Sequence, residues 1–119
     1  MHDLRELAAV FAGGVAGALA RAGVAEALPH DPGDWPWATL LVNVAGAFVL
    51  GLVIARGVGS YRRPLLGAGF CAALTTFSTL QLELLQMLDA GRVALALAYA
   101  CASIAAGLAA AALAGRAAA

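Results

Sequence analysis

The sequence predicts an all-α membrane protein with four transmembrane helices. Hydrophobic residues make up 63% of its 119 residues and charged residues 12%, whereas a soluble domain is about half apolar and a quarter charged. Four apolar segments have the length that a membrane-crossing helix needs, about 20 residues. The third carries a cluster of hydroxyl side chains near its centre. We therefore expect one membrane domain over residues 1–119, surrounded by membrane lipid.

The four spans are separated by short segments rich in proline, glycine and charged residues. The expected spans are 4–28, 37–55, 65–88 and 92–113. Trp35 and Trp37 stand just before and at the start of the second span, where aromatic side chains anchor a helix at the membrane surface.

The arginines predict an orientation. Five of the seven lie at the N-terminus, in the second loop and at the C-terminus, namely Arg5, Arg56, Arg62, Arg63 and Arg116. The first loop has none and the third has only Arg92. Because positive charge stays on the cytoplasmic side, both termini are expected in the cytoplasm. The formal net charge of zero argues against nucleic acid as a partner.

The first two spans carry small residues at four-residue spacing, as in Gly13-x-x-x-Gly17 and Ala47-x-x-x-Gly51. Such patterns allow close helix contact, either inside the subunit or between subunits. Arg21, late in the first span, either extends to the membrane surface or lends positive potential to a vestibule.

Polar residues on the second span share one helix face, because Thr39 and Asn43 are four residues apart. The Asn43 amide has two interpretations. It forms an interhelical hydrogen bond that holds the bundle together, or it is a donor that lines an anion path.

The third span contains Gly69 and the pair Thr75-Thr76, which allow a break in the helix. Unwound backbone at that depth has free carbonyls that can hold a cation. The alternative, slightly favoured by the residues alone, is an unbroken helix whose hydroxyls bond to carbonyls one turn earlier. Glu83 is the only acidic residue well inside a span, which makes it a candidate functional residue.

The polar inventory favours an anion over a cation. The hydrogen-bond donors outnumber the carboxylates, and the ring edge of Phe77 carries partial positive charge. These donors are Thr39, Asn43, Ser78, Thr79 and Tyr99, and Ser103 continues the face of Tyr99 on the fourth span. No nucleophile with a base, metal-ligand cluster or phosphate loop is apparent, so an enzyme is not expected. We assign no chemistry to Cys71 and Cys101.

Three motifs resemble the Fluc fluoride channels, and together they cover nearly the whole chain. The first two are Gly13-Gly14-x-x-Gly17-Ala18-x-x-Arg21 and Thr39-Leu40-x-x-Asn43-x-x-Gly46-x-Phe48-x-x-Gly51. The third is Gly69-Phe70-Cys71-x-x-Leu74-Thr75-Thr76-Phe77-Ser78-Thr79 followed by Glu83. The third motif is highly specific, and the order and spacing of all three argue against coincidence.

The resemblance implies an antiparallel dimer of four-helix subunits with two narrow pores that export fluoride passively and so lower its toxicity. It also implies a third helix broken at mid-membrane, where backbone carbonyls hold a structural sodium ion at the dimer centre. By match, these are the carbonyls of Ala72 and Thr75.

The resemblance also assigns the anion pathway. Asn43 is the pore amide, Phe77 is one of two phenylalanines that face the ion, and the remaining matched residues form a polar track. The track residues are Ser78, Thr79, Glu83, Tyr99 and Ser103, and Thr39 and Arg21 complete the candidate pathway.

Two positions depart from the family pattern. Ala72-Ala73 replaces a Gly-Gly pair, so positive φ angles there would be costly. Leu80 replaces the second phenylalanine and lacks an electropositive ring edge. Leu80 and the five-to-one arginine distribution slightly favour a heterodimer with a paralogue of opposite topology over a homodimer.

Two other functions stay open at this stage. A proton-coupled exporter resembling the small multidrug transporters needs a carboxylate deep in the first span, and none lies between Ala8 and Gly23. A non-conducting subunit of a heterodimeric channel is the other alternative. In each case the expected location is a bacterial cell membrane.

Overall fold

The fold is known from a computed structural model, which describes residues 3–57, 59 and 61–118. Every regular element in these residues is helical, and four segments are long and apolar enough to span a membrane. They are Leu4–Ala27, Trp37–Arg56, Pro64–Asp89 and Val93–Ala118. The all-α class with four spans is confirmed, although the last helix continues past the expected end at residue 113. The assignment of residues 1–119 to one domain stays a prediction.

The first, second and fourth spans are continuous helices, named here α1 (Leu4–Ala27), α2 (Trp37–Arg56) and α5 (Val93–Ala118). The third span consists of a π-helix (Pro64–Cys71), a short α3 (Ala72–Leu74) and α4 (Phe77–Asp89).

Thr75 and Thr76 interrupt the third span with extended backbone. Their φ and ψ angles are −81° and 156° for Thr75 and −147° and 119° for Thr76. The broken helix is therefore confirmed, and the alternative of an unbroken helix is wrong. One detail of that alternative survives, because the Thr75 hydroxyl donates to the Cys71 carbonyl one turn earlier at 2.9 Å.

Local signals in the sequence explain the helix ends. The Asp3 carboxylate accepts from the Glu6 backbone N–H at 2.6 Å and caps α1. Gly57, at φ 61°, ends α2 in the left-handed conformation that glycine tolerates best. The Tyr61 hydroxyl donates to Asp3 at 3.2 Å, so the second loop and the start of α1 lie at the same end of the bundle.

Small residues bring the helices close together inside the subunit. α1 packs against the π-helix and α3, while α2 packs against α5. A Cβ atom on Gly13 would collide with the Leu65 carbonyl oxygen, and one on Gly69 would lie 2.6 Å from the Val10 carbonyl oxygen. One on Gly51 would lie 2.9 Å from the Ala111 carbonyl oxygen. Both small-residue patterns therefore serve packing within the subunit.

Apolar side chains cover the outside of the bundle, which measures 49 × 29 × 27 Å. Phe11, Leu97 and Leu108 are among the exposed large hydrophobic side chains. The long axis matches a bilayer of about 40–45 Å including its polar surfaces. An outer surface of this kind suits lipid or another membrane subunit rather than water.

Candidate functional site

The break in the third span is held by Asn43 on α2. The Thr76 N–H donates to Asn43 Oδ1 at 2.8 Å, and Asn43 Nδ2 donates to the Thr76 carbonyl at 3.2 Å. One amide side chain thus bonds both polar groups of one unwound backbone residue. The interhelical hydrogen bond, one of the two interpretations of Asn43, is present in the structure.

Two backbone carbonyls at the break lose the N–H donors that they would have in an intact helix. In an α-helix each carbonyl accepts from the N–H four residues later. The Thr76 N–H would donate to the Ala72 carbonyl in an intact helix, but here it donates to Asn43. The Thr79 N–H would donate to the Thr75 carbonyl, but here it donates to the Thr76 hydroxyl at 3.2 Å. The carbonyls of Ala72 and Thr75 therefore lack their helical donors.

The neighbouring carbonyls are occupied. Cys71 accepts from both the N–H and the hydroxyl of Thr75, at 3.1 and 2.9 Å. Ala73 accepts from Arg21 Nε at 3.0 Å. Ala72 has helical angles, φ −64° and ψ −38°, so alanine causes no strain where the family has glycine.

A groove on one face of the subunit contains the break. Its volume is about 430 Å³, and its lining includes Asn43, Ala72, Thr75 and Phe77. Phe77 is the first residue of α4, and it is 70% exposed. The predicted pore phenylalanine, the predicted pore amide and both predicted sodium ligands therefore border one surface.

A smaller cavity lies between α1, α2 and α4. Its volume is about 110 Å³, and its polar lining consists of Arg21, Thr39, Thr76 and Thr79. The guanidinium group and the Thr79 hydroxyl can donate to an anion, because the Thr39 and Thr76 hydroxyls donate within the protein. The Thr76 hydroxyl donates to the Thr79 hydroxyl at 3.0 Å, which links this cavity to the cap of α4.

Glu83 lies at the centre of a buried hydrogen-bond cluster. The Thr39 hydroxyl donates to Glu83 Oε2 at 2.7 Å, and the Tyr99 hydroxyl donates to Oε1 at 2.8 Å. All three residues are buried. The structure thus joins predicted residues from three helices around one carboxylate.

The first loop covers this cluster, a contact that no sequence pattern predicted. His30 Nε2 lies 3.6 Å from Glu83 Oε2. Trp35 packs edge-on against the Tyr99 ring with centroids 5.2 Å apart. Arg92 holds the loop through the Gly33 carbonyl at 3.2 Å and the Asp34 carboxylate at 2.6 Å.

Three predicted site residues stand apart from these bonds. Leu80 packs against the apolar cluster of Met87, Ala96 and Tyr99, and Ser78 is exposed. The Ser103 hydroxyl oxygen is buried and has no hydrogen-bond partner among the described residues. Their predicted roles in an anion pathway stay predictions.

Comparisons with known proteins give a consistent match. The family described as CrcB-like protein, Camphor Resistance (CrcB), matches residues 8–115. A protein of Mycolicibacterium paratuberculosis named fluoride-specific ion channel FluC 1 is 54% identical over 112 residues, which cover 90% of this chain and 85% of that protein. FluC 2 of Streptococcus pneumoniae serotype 4 is 39% identical over 104 residues, or 83% of each chain.

Proposed function

The chain belongs to the CrcB family, whose relatives include the proteins named fluoride-specific ion channel, and on this premise we propose that it is a passive, fluoride-selective channel. The observation that carries the proposal is the match over residues 8–115, together with 54% identity to a FluC 1 protein. Fluoride would leave the cytoplasm down its electrochemical gradient, which lowers its toxicity inside the cell.

The polar groups of the subunit support an anion pathway. The small cavity combines Arg21 with three threonine hydroxyls, and Phe77 presents its ring on the open groove. Fluoride would accept hydrogen bonds from the Thr79 hydroxyl and from the Asn43 amide, and the positive ring edge of Phe77 would replace part of its hydration. The Thr39, Glu83 and Tyr99 cluster would continue this pathway.

A structural sodium ion is part of the proposal. Ala72 and Thr75 would hold it through the two carbonyls whose helical donors are bonded elsewhere. Sodium is a hard cation that suits backbone oxygen ligands at the midplane of a membrane. Its role would be to coordinate the carbonyl oxygens that lack hydrogen-bond donors, and the ion would not be transported.

We also propose that the working channel is an antiparallel dimer in a cell membrane. A groove that borders Phe77, Ala72 and Thr75 is open on one face of the subunit, so a second subunit would close it. The five-to-one arginine distribution favours cytoplasmic termini and a partner of opposite topology. The names FluC 1 and FluC 2 indicate paralogues in the family, which supports a heterodimer.

Fluoride efflux from liposomes tests the function directly. The purified protein, alone and with its paralogue, would be reconstituted into fluoride-loaded vesicles, and a fluoride electrode would record efflux after a potassium ionophore dissipates the potential. We expect rapid fluoride efflux and no comparable chloride efflux. Vesicles that release no fluoride in either preparation would overturn the proposal. Efflux that requires a proton gradient would favour the proton-coupled exporter instead.

A further inference from the structure

Glu83 has one more neighbour than the predicted polar track supplies, and that neighbour comes from the first loop. Thr39 and Tyr99 reach its carboxylate from inside the bundle. His30 Nε2 lies 3.6 Å from the same oxygen, Oε2, that accepts from Thr39. Of the two side chains in this contact, His30 is 25% exposed and Glu83 only 5%. The imidazole is thus the side of the contact that meets water.

The position of His30 is fixed by the loop around it. Arg92 bonds the Gly33 carbonyl and the Asp34 carboxylate, and Trp35 packs against Tyr99. Asp34 N–H donates to the Asp31 carbonyl at 3.0 Å and closes a turn directly after His30. Through these contacts the loop packs against α5 and is bonded to Arg92, directly before α5.

Of the charged groups around His30, Glu83 is the one in direct contact with its imidazole. α4 supplies Glu83, α5 supplies the Tyr99 hydroxyl, and α2 supplies the neutral Thr39. In the loop, Asp31 follows His30 in sequence, and the carboxylate of Asp34 is paired with Arg92. Arg21 on α1 lies beyond Thr39, where it lines the small cavity and bonds Ala73.

We propose that His30 is a further positioning residue of the anion pathway, one that offsets the charge of Glu83 where the buried cluster meets water. The inference rests on the proposed channel function. A protonated imidazole at this 3.6 Å distance forms an ion pair with Glu83 and offsets the negative charge that an approaching anion meets. A neutral imidazole leaves that charge in place, so anion passage falls. Histidine is suited to this because its ordinary titration lies between pH 5 and 8.

We expect fluoride efflux to depend on pH, and we expect this dependence to require His30. Between pH 5.5 and 8, efflux should fall about three- to tenfold, the effect of one elementary charge about 4 Å away that is screened by water. His30→Gln keeps a hydrogen-bond donor without the charge, so its efflux should stay low across this range. His30→Arg keeps the charge, so its efflux should stay high.

The experiment measures fluoride efflux from vesicles that contain the complete channel assembly, at matched internal and external pH, with protein-free vesicles subtracted at each pH. His2→Gln is the matched control, because His2 is the only other histidine of the sequence. It should keep the wild-type profile. A His30→Gln channel that conducts with an unchanged pH profile would overturn the inference alone. Absence of efflux from the wild-type assembly at every pH would instead overturn the channel function on which the inference rests.

Discussion

Asn43 and Thr76 exchange two hydrogen bonds, one in each direction, as two paired residues of neighbouring β-strands do. Here one of the two partners is a side-chain amide on α2, and the other is a backbone residue in the middle of a membrane span. The amide therefore fixes the geometry of the break, so its removal should affect both folding and conduction.

Replacing Asn43 by alanine should leave the Thr76 N–H and carbonyl without partners. We expect a loss of about 1–3 kcal/mol in stability, the cost of unsatisfied buried polar groups, and a fall of more than about tenfold in fluoride efflux. Thermal unfolding in detergent and vesicle efflux would measure the two effects. Leu41→Ala, on the exposed side of the same helix, is the control. A stable, fully conducting Asn43→Ala protein would contradict this role.

The two hydroxyls that donate to Glu83 should act as one unit. Thr39→Val and Tyr99→Phe each remove one donor and keep most of the side-chain volume, which leaves the buried carboxylate short of one hydrogen bond. Each change should lower stability by about 1–3 kcal/mol. Because both hydroxyls share one carboxylate, the double variant should depart from additivity by at least about 0.5 kcal/mol. Strict additivity would indicate that Glu83 adopts another arrangement in the membrane.

The proposed sodium site depends on backbone, so side-chain and backbone changes should differ. Thr75→Ala keeps the carbonyl and should reduce efflux less than about threefold. Thr76→Pro removes the N–H that bonds Asn43, and we expect it to reduce efflux by more than about tenfold. Replacing sodium by lithium or potassium during purification should abolish wild-type efflux. Equal efflux in sodium-free buffer would speak against the ion.

Two glycines of α1 should respond oppositely to alanine. Gly13→Ala places a Cβ against the Leu65 carbonyl oxygen, and backbone cannot rotate away as a side chain can. We expect it to destabilise the subunit by about 1–3 kcal/mol or more. A Cβ on Gly23 would meet no described atom within 4 Å beyond its own stretch of helix backbone, so Gly23→Ala should be neutral or slightly stabilising through helix propensity. Thermal unfolding compares the pair, and equal effects would contradict the packing of α1 on the third span.

Leu80→Phe restores the aromatic ring that the family pattern has at this position. Its electropositive edge should raise fluoride efflux, although Leu80 already packs against Met87, Ala96 and Tyr99. The larger ring should therefore cost about 1–3 kcal/mol of stability. Leu80→Met, which changes the side chain without adding a ring, is the control. If both variants conduct equally, a second ring has no part in this pore.

The sequence predicted the four spans well because apolar length alone specifies them. It predicted the region of the break, where Thr75 and Thr76 stand together, but the residues alone slightly favoured a continuous helix, which is wrong. The break depends on Asn43, whose amide competes for the Thr76 N–H across 33 residues of sequence. No periodicity within one span can reveal such competition.

The surroundings of Glu83 were predictable only in part. Thr39 and Tyr99 were candidates because each is polar within an apolar span. His30 gave no signal, since a histidine in a proline-rich loop is ordinary and its contact with Glu83 joins distant parts of the chain. Positive φ angles at Ala72-Ala73 would have been costly, but Ala72 has helical φ and ψ because the extended backbone begins only at Thr75.

The interrupted third span also has an electrostatic consequence. A helix carries about half a positive charge at its N-terminus and half a negative charge at its C-terminus. At Thr75 and Thr76 the carbonyl end of the continuous helical segment formed by the π-helix and α3 meets the amino end of α4, so both polarities occur at one depth in the membrane. A cation at one side of the break and an anion at the other would each be attracted by a helix end, and each would stabilise the other. Occupancy by the two ions should therefore be cooperative.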